Sequence, residues 1–161
     1  MDAGKGETFR RVETGQVRPR ICFSSRFPGR GMMDTAELNI LAGWAAMLMG
    51  VLSGAAIGLF FHIDEWAGGY ASFRRRMLRL AHISFFGIGF INVMFGLTLQ
   101  ALQLPAPVAE VGSLGLIVGV ISMPLCCYLT AWKKIFRHLF PVPVLAVATG
   151  VVATLYGWYV T

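Results

Sequence analysis

The chain has 161 residues, of which 56% are hydrophobic and 14% are charged, and its formal net charge is +6. This composition is too apolar and too poor in charge for an ordinary soluble domain, and it favours one compact membrane domain. The basic residues fall into three blocks, and two of these adjoin apolar segments. That placement is typical of membrane topology signals and argues against a nucleic-acid partner.

The first 35 residues are predicted to form a basic, irregular arm. Residues 1–31 are polar and contain no apolar run of the kind that a secretory signal peptide needs. Their composition cannot build a core, so we expect a partner or a lipid surface to order them. Met32 and Met33 stand directly before the first apolar segment. An alternative interpretation is therefore that residues 1–31 reflect a misassigned start site.

Four apolar segments follow, and they predict an all-α polytopic membrane protein. The first segment, residues 38–61, has no charged side chain and, at about 1.5 Å per residue, exceeds the roughly 30 Å hydrocarbon core of a bilayer. The predicted spans are approximately residues 38–61, 77–99, 108–132 and 139–159. Residues 36–161 are therefore interpreted as one domain of four transmembrane helices in an antiparallel bundle.

Small side chains recur in these segments at a spacing typical of helix contacts. In the first span they occupy every fourth position, which lays a ridge along one helix face and lets another backbone approach closely. The residues predicted to form helix contacts are Ala42, Ala46, Gly50, Gly54 and Gly58 in the first span, Gly89 and Gly96 in the second, and Gly150 in the fourth. Two partners fit this ridge: another span of the same chain, or another subunit.

Basic residues and aromatic rings mark the predicted membrane surfaces. The loops after the first and third spans together carry seven Lys or Arg, whereas the middle connection and the C-terminus carry none. The positive-inside rule therefore predicts cytoplasmic basic loops and external chain ends, in a bacterial inner membrane. The arm opposes this orientation with seven basic residues, most of them further from the spans. The predicted interfacial anchors are Arg74, Arg75, Arg76, Arg79, Lys133, Lys134, Arg137, Trp66, Trp132 and Trp158.

The three histidines are the candidate cofactor ligands. His62, His82 and His138 all lie towards the predicted cytoplasmic side. A b-type haem needs two facing imidazoles inside a bundle, and His82 alone is suitably placed within a span. The competing interpretation is that His82 hydrogen-bonds a nearby carbonyl or a headgroup phosphate. A three-histidine metal site has no ligand spacing in its favour.

Neither cysteines nor carboxylates indicate a reactive site. Cys22, Cys126 and Cys127 match no disulfide, zinc or covalent haem pattern, and the adjacent pair is interpreted as packing residues, with lipidation as the alternative. No Asp or Glu lies in the interior of a predicted span, although proton-coupled transporters and intramembrane hydrolases usually use one. Asp64 and Glu65 in the first basic loop are expected to pair weakly with neighbouring arginines. The chain is therefore predicted not to be an enzyme.

These observations favour a non-enzymatic accessory subunit that packs against other integral membrane subunits and lipids. Respiratory and photosynthetic complexes are natural hosts, because they recruit small polytopic subunits and hold lipids or pigments between larger ones. One alternative is electron transfer through a haem b bound by His82. Another is a small-solute transporter, and the candidates for its polar path are His82, Asn92, Gln100 and Ser122.

Overall fold

The structure, a computed structural model, describes residues 30–161 and is built from helices and short connections. The four long helices are α1 (Arg30–Leu59), α2 (Phe73–Ala101), α3 (Ala106–Trp132) and α4 (Pro141–Val160). Short 3-10 helices, Trp66–Gly68 and Lys134–Leu139, lie in the first and third connections. Each long helix is long and apolar enough to cross a membrane by length and composition. The prediction of an all-helical chain with four such helices is confirmed for the described residues.

Helix α1 begins at Arg30, before the predicted boundary between arm and membrane domain at residue 35. Residues 30–37 contain no proline that would stop the helix, so the helix continues past the start of the apolar run. Residues 1–29, Cys22 among them, lie outside the described residues. The irregular arm and the alternative start site therefore stay predictions.

Capping and proline set where the other helices begin. The Ser72 side chain accepts a hydrogen bond from Arg75 N at 3.1 Å and caps α2, which begins at Phe73, four residues before the predicted span. Pro107 lies in the first turn of α3 and Pro141 opens α4, where a missing N–H does least harm. The first arginines after the loop, Arg74 among them, therefore belong to the first turn of α2.

Consecutive helices pack side by side and run in opposite directions. Along the contact of α1 with α2, the α1 positions advance from Ala36 to Gly54 while their α2 partners recede from Gly96 to His82. α2 packs on α3, α3 packs on α4, and α1 also contacts α3. Within residues 30–161, α1 and α4 have no extensive contact with each other.

The helices α2 and α3 form the interior, and α1 and α4 are the outer helices. In their most apolar segments, 44% of the residues of α2 and of α3 are buried, against 17% in α1 and 11% in α4. The larger buried cluster lies where α1, α2 and α3 meet. It consists of Ala36, Phe95, Leu99, Leu104, Ala109 and Leu116. The outer helices keep most of their apolar surface uncovered.

Candidate functional site

Two buried asparagines connect α3 to the helices beside it. Asn39 Nδ2, on α1, donates to Ser113 Oγ on α3, and Asn92 Nδ2, on α2, donates to Leu116 O on α3 at 3.2 Å. Both side chains are fully buried. An unpaired amide in an apolar interior costs several kcal/mol by order of magnitude, so these hydrogen bonds favour one arrangement of the three helices. Asn39 and Ser113 were not singled out from the sequence, although an amide inside an uncharged span was the available signal.

His82 takes part in the contact between α1 and α2. Its Nδ1 lies 2.9 Å from Gly50 O, and because a carbonyl can only accept, Nδ1 donates. The ring lies edge-on to Phe86, with the ring centres 5.3 Å apart. A Cβ atom at Gly54 would overlap the imidazole, so this glycine makes room for the ring. A hydrogen bond from His82 to a nearby carbonyl is the predicted alternative to haem ligation, and the structure contains such a hydrogen bond.

The other histidines lie apart from the helix contacts. His62 and His138 are exposed in the first and third connections. No group of three or more His, Cys, Asp or Glu among the described residues is arranged to hold a metal ion. The His82 ring contacts Gly50, Ser53 and Gly54 of α1 and Phe86 of its own helix, and no other described histidine contacts it. Haem ligation by His82 stays a prediction.

The residues suggested for a polar transport path form hydrogen bonds within or between helices, or lie at the surface. Ser122 Oγ donates to Val118 O in its own helix at 2.6 Å, and Gln100 is exposed near the end of α2. Asn92 is used at the contact between α2 and α3. These contacts give the small-solute transport alternative no further support.

The predicted ridge of small residues on α1 faces α2 over part of its length. Ala46 is buried, Ala42 is half-buried, and a Cβ at Gly50 would lie 2.7 Å from Phe86 Cε2. Gly54 receives the His82 ring, whereas Gly58 has open space around it. The contact with α2 therefore ends before the last residue of the ridge.

Other glycines allow backbones to meet. A Cβ at Gly89 would lie 2.9 Å from Gly43 O, one at Gly96 would lie 2.6 Å from Ala36 O, and one at Gly150 would lie 3.1 Å from Gly112 O. The closest of these approaches on α1 is at Gly43, where a Cβ would lie 2.5 Å from Gly89 O. The sequence interpretation missed Gly43 because it lies one residue outside the ridge of every fourth position.

Arginines and aromatic rings gather at the connection between α1 and α2. This arginine–aromatic cluster consists of Arg75, Arg79, Phe61, Trp66 and Tyr70. The Cζ atom of Arg75 lies 4.8 Å from the centre of the Phe61 ring and 5.6 Å from that of Trp66. The Cζ atom of Arg79 lies 4.4 Å from the centre of the Tyr70 ring. Such cation–π contacts hold both guanidinium groups in place.

The backbone of the connection folds the aromatic rings back over α2. Gly68 and Gly69 have φ values of 88° and 89°, a left-handed conformation that glycine adopts without steric cost. Ser72 Oγ also donates to Ala67 O at 2.7 Å. The turn thereby brings Trp66 and Tyr70 against the first two turns of α2.

The predicted interfacial anchors differ in exposure. Arg75 is buried and Arg79 and Trp66 are half-buried, whereas the others are exposed, namely Arg74, Arg76, Lys133, Lys134, Arg137, Trp132 and Trp158. Lys134 Nζ lies 5.6 Å from the centre of the Phe73 ring, which brings the two basic connections together at one end. Asp64 and Glu65 are exposed and form no ion pair with a described side chain, so the expected pairing with arginines is not found there.

An apolar groove runs along the outside of α3 and α4. It has a volume of about 570 Å³ and is lined mainly by aliphatic side chains, including Val111, Leu145 and Val152. The Thr149 hydroxyl at its wall donates to Leu145 O in the same helix at 2.8 Å. The groove therefore suits an apolar occupant.

The adjacent cysteines are buried in α3. Cys127 is 0% exposed and Cys126 is 5% exposed, as packing residues would be.

Comparison of the chain with family models, with curated proteins and with solved structures finds no match. Its function is therefore inferred from its own residues and their contacts.

Proposed function

We propose that the chain is a non-enzymatic accessory subunit of a larger membrane assembly, with its four helices inserted in the bilayer as an antiparallel bundle. The observation that carries the proposal is the uneven burial of the helices. Only 11% of the apolar segment of α4 and 17% of that of α1 are buried within the chain. Membrane helices associate through close packing, so outer helices with this much uncovered surface are suited to neighbouring subunits.

The polar side chains inside the chain support the same proposal. Asn39, Asn92 and His82 donate hydrogen bonds between helices. Groups engaged in this way stabilise an arrangement of helices. A body with such an interior and apolar outer faces is suited to filling space between larger subunits.

The proposed partner helix lies in the groove between α3 and α4. α4 packs mainly on α3, so the groove continues an existing helix contact. Its lining contains few polar groups, and an apolar transmembrane helix needs none. A lipid acyl chain is the competing occupant.

The proposed orientation follows the basic connections. Both lie at one end of the molecule, and the positive-inside rule assigns that end to the cytoplasm and the C-terminus to the outside. We propose the inner membrane of a bacterium as the location. Respiratory and photosynthetic complexes, with their lipids and pigments, are the proposed hosts.

The test is purification of the tagged chain from native membranes in mild detergent, followed by native sizing and mass spectrometry. We expect a larger assembly in which the chain is present in fixed ratio to other membrane subunits. Migration solely as a free monomer would contradict the proposal.

A pair of variants locates the contact. Ala148→Trp fills the groove, whereas Ala55→Trp adds the same bulk to an exposed position on α1. We expect Ala148→Trp to release the chain from the assembly and Ala55→Trp to leave it bound, with equal helical content by circular dichroism. If Ala148→Trp stays bound, the groove is not the contact.

A further inference from the structure

The arginine–aromatic cluster carries two positive charges that are not paired with a carboxylate among the described side chains. Arg75 is 2% exposed, and neither Arg75 nor Arg79 forms an ion pair with a described residue. Buried guanidinium groups are normally paired, because a buried charge without a counter-ion is costly. The cluster therefore lacks the anion that its chemistry favours.

Several N–H groups of these arginines also lack an acceptor. Arg75 Nη2 donates to Phe61 O at 3.2 Å, but Arg75 Nε and both Nε and Nη2 of Arg79 are buried without an acceptor among the described residues. The Nη1 atom of each guanidinium is neither hydrogen-bonded nor buried, so it reaches the molecular surface. Each guanidinium therefore keeps one N–H donor at the surface that an anion can bind.

The aromatic rings hold the two guanidinium groups close to each other. The Cζ atoms of Arg75 and Arg79 lie 4.8 and 5.5 Å from the centre of the Phe61 ring. They lie 5.6 and 4.4 Å from the centre of the Tyr70 ring. The rings offset part of the cost of burial, but they do not cancel the repulsion between like charges. An anion bound to both arginines would cancel it.

We propose that Arg75 and Arg79 form a binding site for a phosphate group, whose oxygens accept hydrogen bonds from the two Nη1 atoms. Guanidinium groups bind phosphate oxygens through strong, directional, charge-assisted hydrogen bonds. The exposed Arg74 and Arg76 and the nearby Lys134 raise the positive potential around the site. Two sources supply the group: a phospholipid headgroup and soluble inorganic phosphate. The site does not depend on the accessory role proposed above.

The test uses the purified full chain, stripped of lipid in a maltoside detergent and measured by native mass spectrometry. One arm adds inorganic phosphate and the other adds phosphatidylglycerol. We expect a single adduct in at least one arm. An adduct with inorganic phosphate identifies a soluble anion, and an adduct with the lipid alone identifies a headgroup site. Absence of an adduct in both arms would overturn the proposal.

Matched variants separate the site from general positive charge. Arg75→Gln/Arg79→Gln and Arg74→Gln/Arg76→Gln remove the same charge from the same helix. We expect the bound fraction to fall about tenfold or more in the first pair and to change by less than about twofold in the second, because only the first removes the guanidinium donors of the site. An equal loss in both pairs would overturn the proposal. If the Arg75→Gln/Arg79→Gln variant does not fold, Arg79→Gln alone takes its place, because it leaves the buried Arg75 unchanged. Undiminished binding by Arg79→Gln would also overturn the proposal.

Discussion

The hairpin of α1 and α2 and the hairpin of α3 and α4 are held together by different physical means. Both bring backbones into close approach through glycine, but the first adds directional hydrogen bonds. His82 Nδ1 donates to Gly50 O at 2.9 Å across its interface. The hydroxyl groups of Thr149 and Thr154 on α4 instead donate to carbonyls of their own helix at 2.8 Å. The first hairpin is therefore specified by polar geometry and shape, and the second mainly by shape.

This difference has consequences for local stability. Asn39 also ties α1 to α3, whereas α4 packs mainly on α3 and is 11% buried in its apolar segment. Elements with few buried contacts open at lower free energy than the rest of a fold. We therefore expect α4 to separate first in detergent, unless a partner covers it.

The substitution with the largest expected effect disrupts the close backbone approach at glycine that both hairpins share. Gly43→Val places a Cβ near Gly89 O, at 2.5 Å, and near Val93 Cγ2, at 2.6 Å, and a backbone oxygen cannot move aside cheaply. We expect the free energy of unfolding in detergent to fall by about 3 kcal/mol, the upper end of ordinary overpacking effects. Chemical or thermal unfolding monitored by circular dichroism measures this.

Gly58→Val is the control for that substitution, because Gly58 has open space around it. A valine there makes no clash and adds slightly to helix propensity. We expect unchanged or slightly higher stability. Equal stability of Gly43→Val and Gly58→Val would contradict the close approach of α1 and α2.

A substitution with a moderate expected effect tests whether hydrogen bonds between helices stabilise the fold more than hydrogen bonds within one helix. Asn92→Leu removes the hydrogen bond to Leu116 O on α3. Hydrogen bonds between membrane helices contribute about 1 kcal/mol, so we expect a loss of that size. Thr149→Val removes a hydroxyl that bonds within its own helix and serves as the control, with a change near zero. Equal effects of the two variants in the same unfolding assay would remove the proposed contrast.

The smallest effect concerns His82. His82→Phe keeps a ring of similar shape beside Gly54 but loses the hydrogen bond to Gly50 O, so we expect a loss of about 0.5–1 kcal/mol. Absorption spectra of both proteins, expressed with haem available, accompany the unfolding measurement. The accessory role predicts no Soret band in either protein. A Soret band in the wild type that His82→Phe abolishes would instead establish the electron-transfer alternative.

The sequence predicts the number and location of the helices because bilayer thickness dictates the length of an apolar span. Helix starts were less predictable. Ser72 caps α2 through a side-chain hydrogen bond, so residues read as loop are helical. The ridge from Ala42 to Gly58 was visible as a pattern, but its contact with α2 depends on how the two helices cross. For that reason Gly43, outside the pattern, is where the α1 and α2 backbones approach most closely.

The different environments of the four arginines could not be predicted from sequence. Arg74, Arg75 and Arg76 are consecutive and chemically identical, yet the middle one is buried. Its burial arises from rings that the turn at Gly68 and Gly69 folds back over α2. Such a tertiary contact leaves no periodic signal in the chain.

Site-specific photo-crosslinking in native membranes tests the central claim of an accessory subunit most directly. A photoreactive residue at Val152, in the groove and 63% exposed, is compared with one at Ile83, on α2 and 60% exposed. The accessory role predicts a crosslink from Val152 to one membrane polypeptide of fixed mass, lost when Ala148→Trp is added, and lipid adducts from Ile83. Lipid adducts alone from both positions would contradict it.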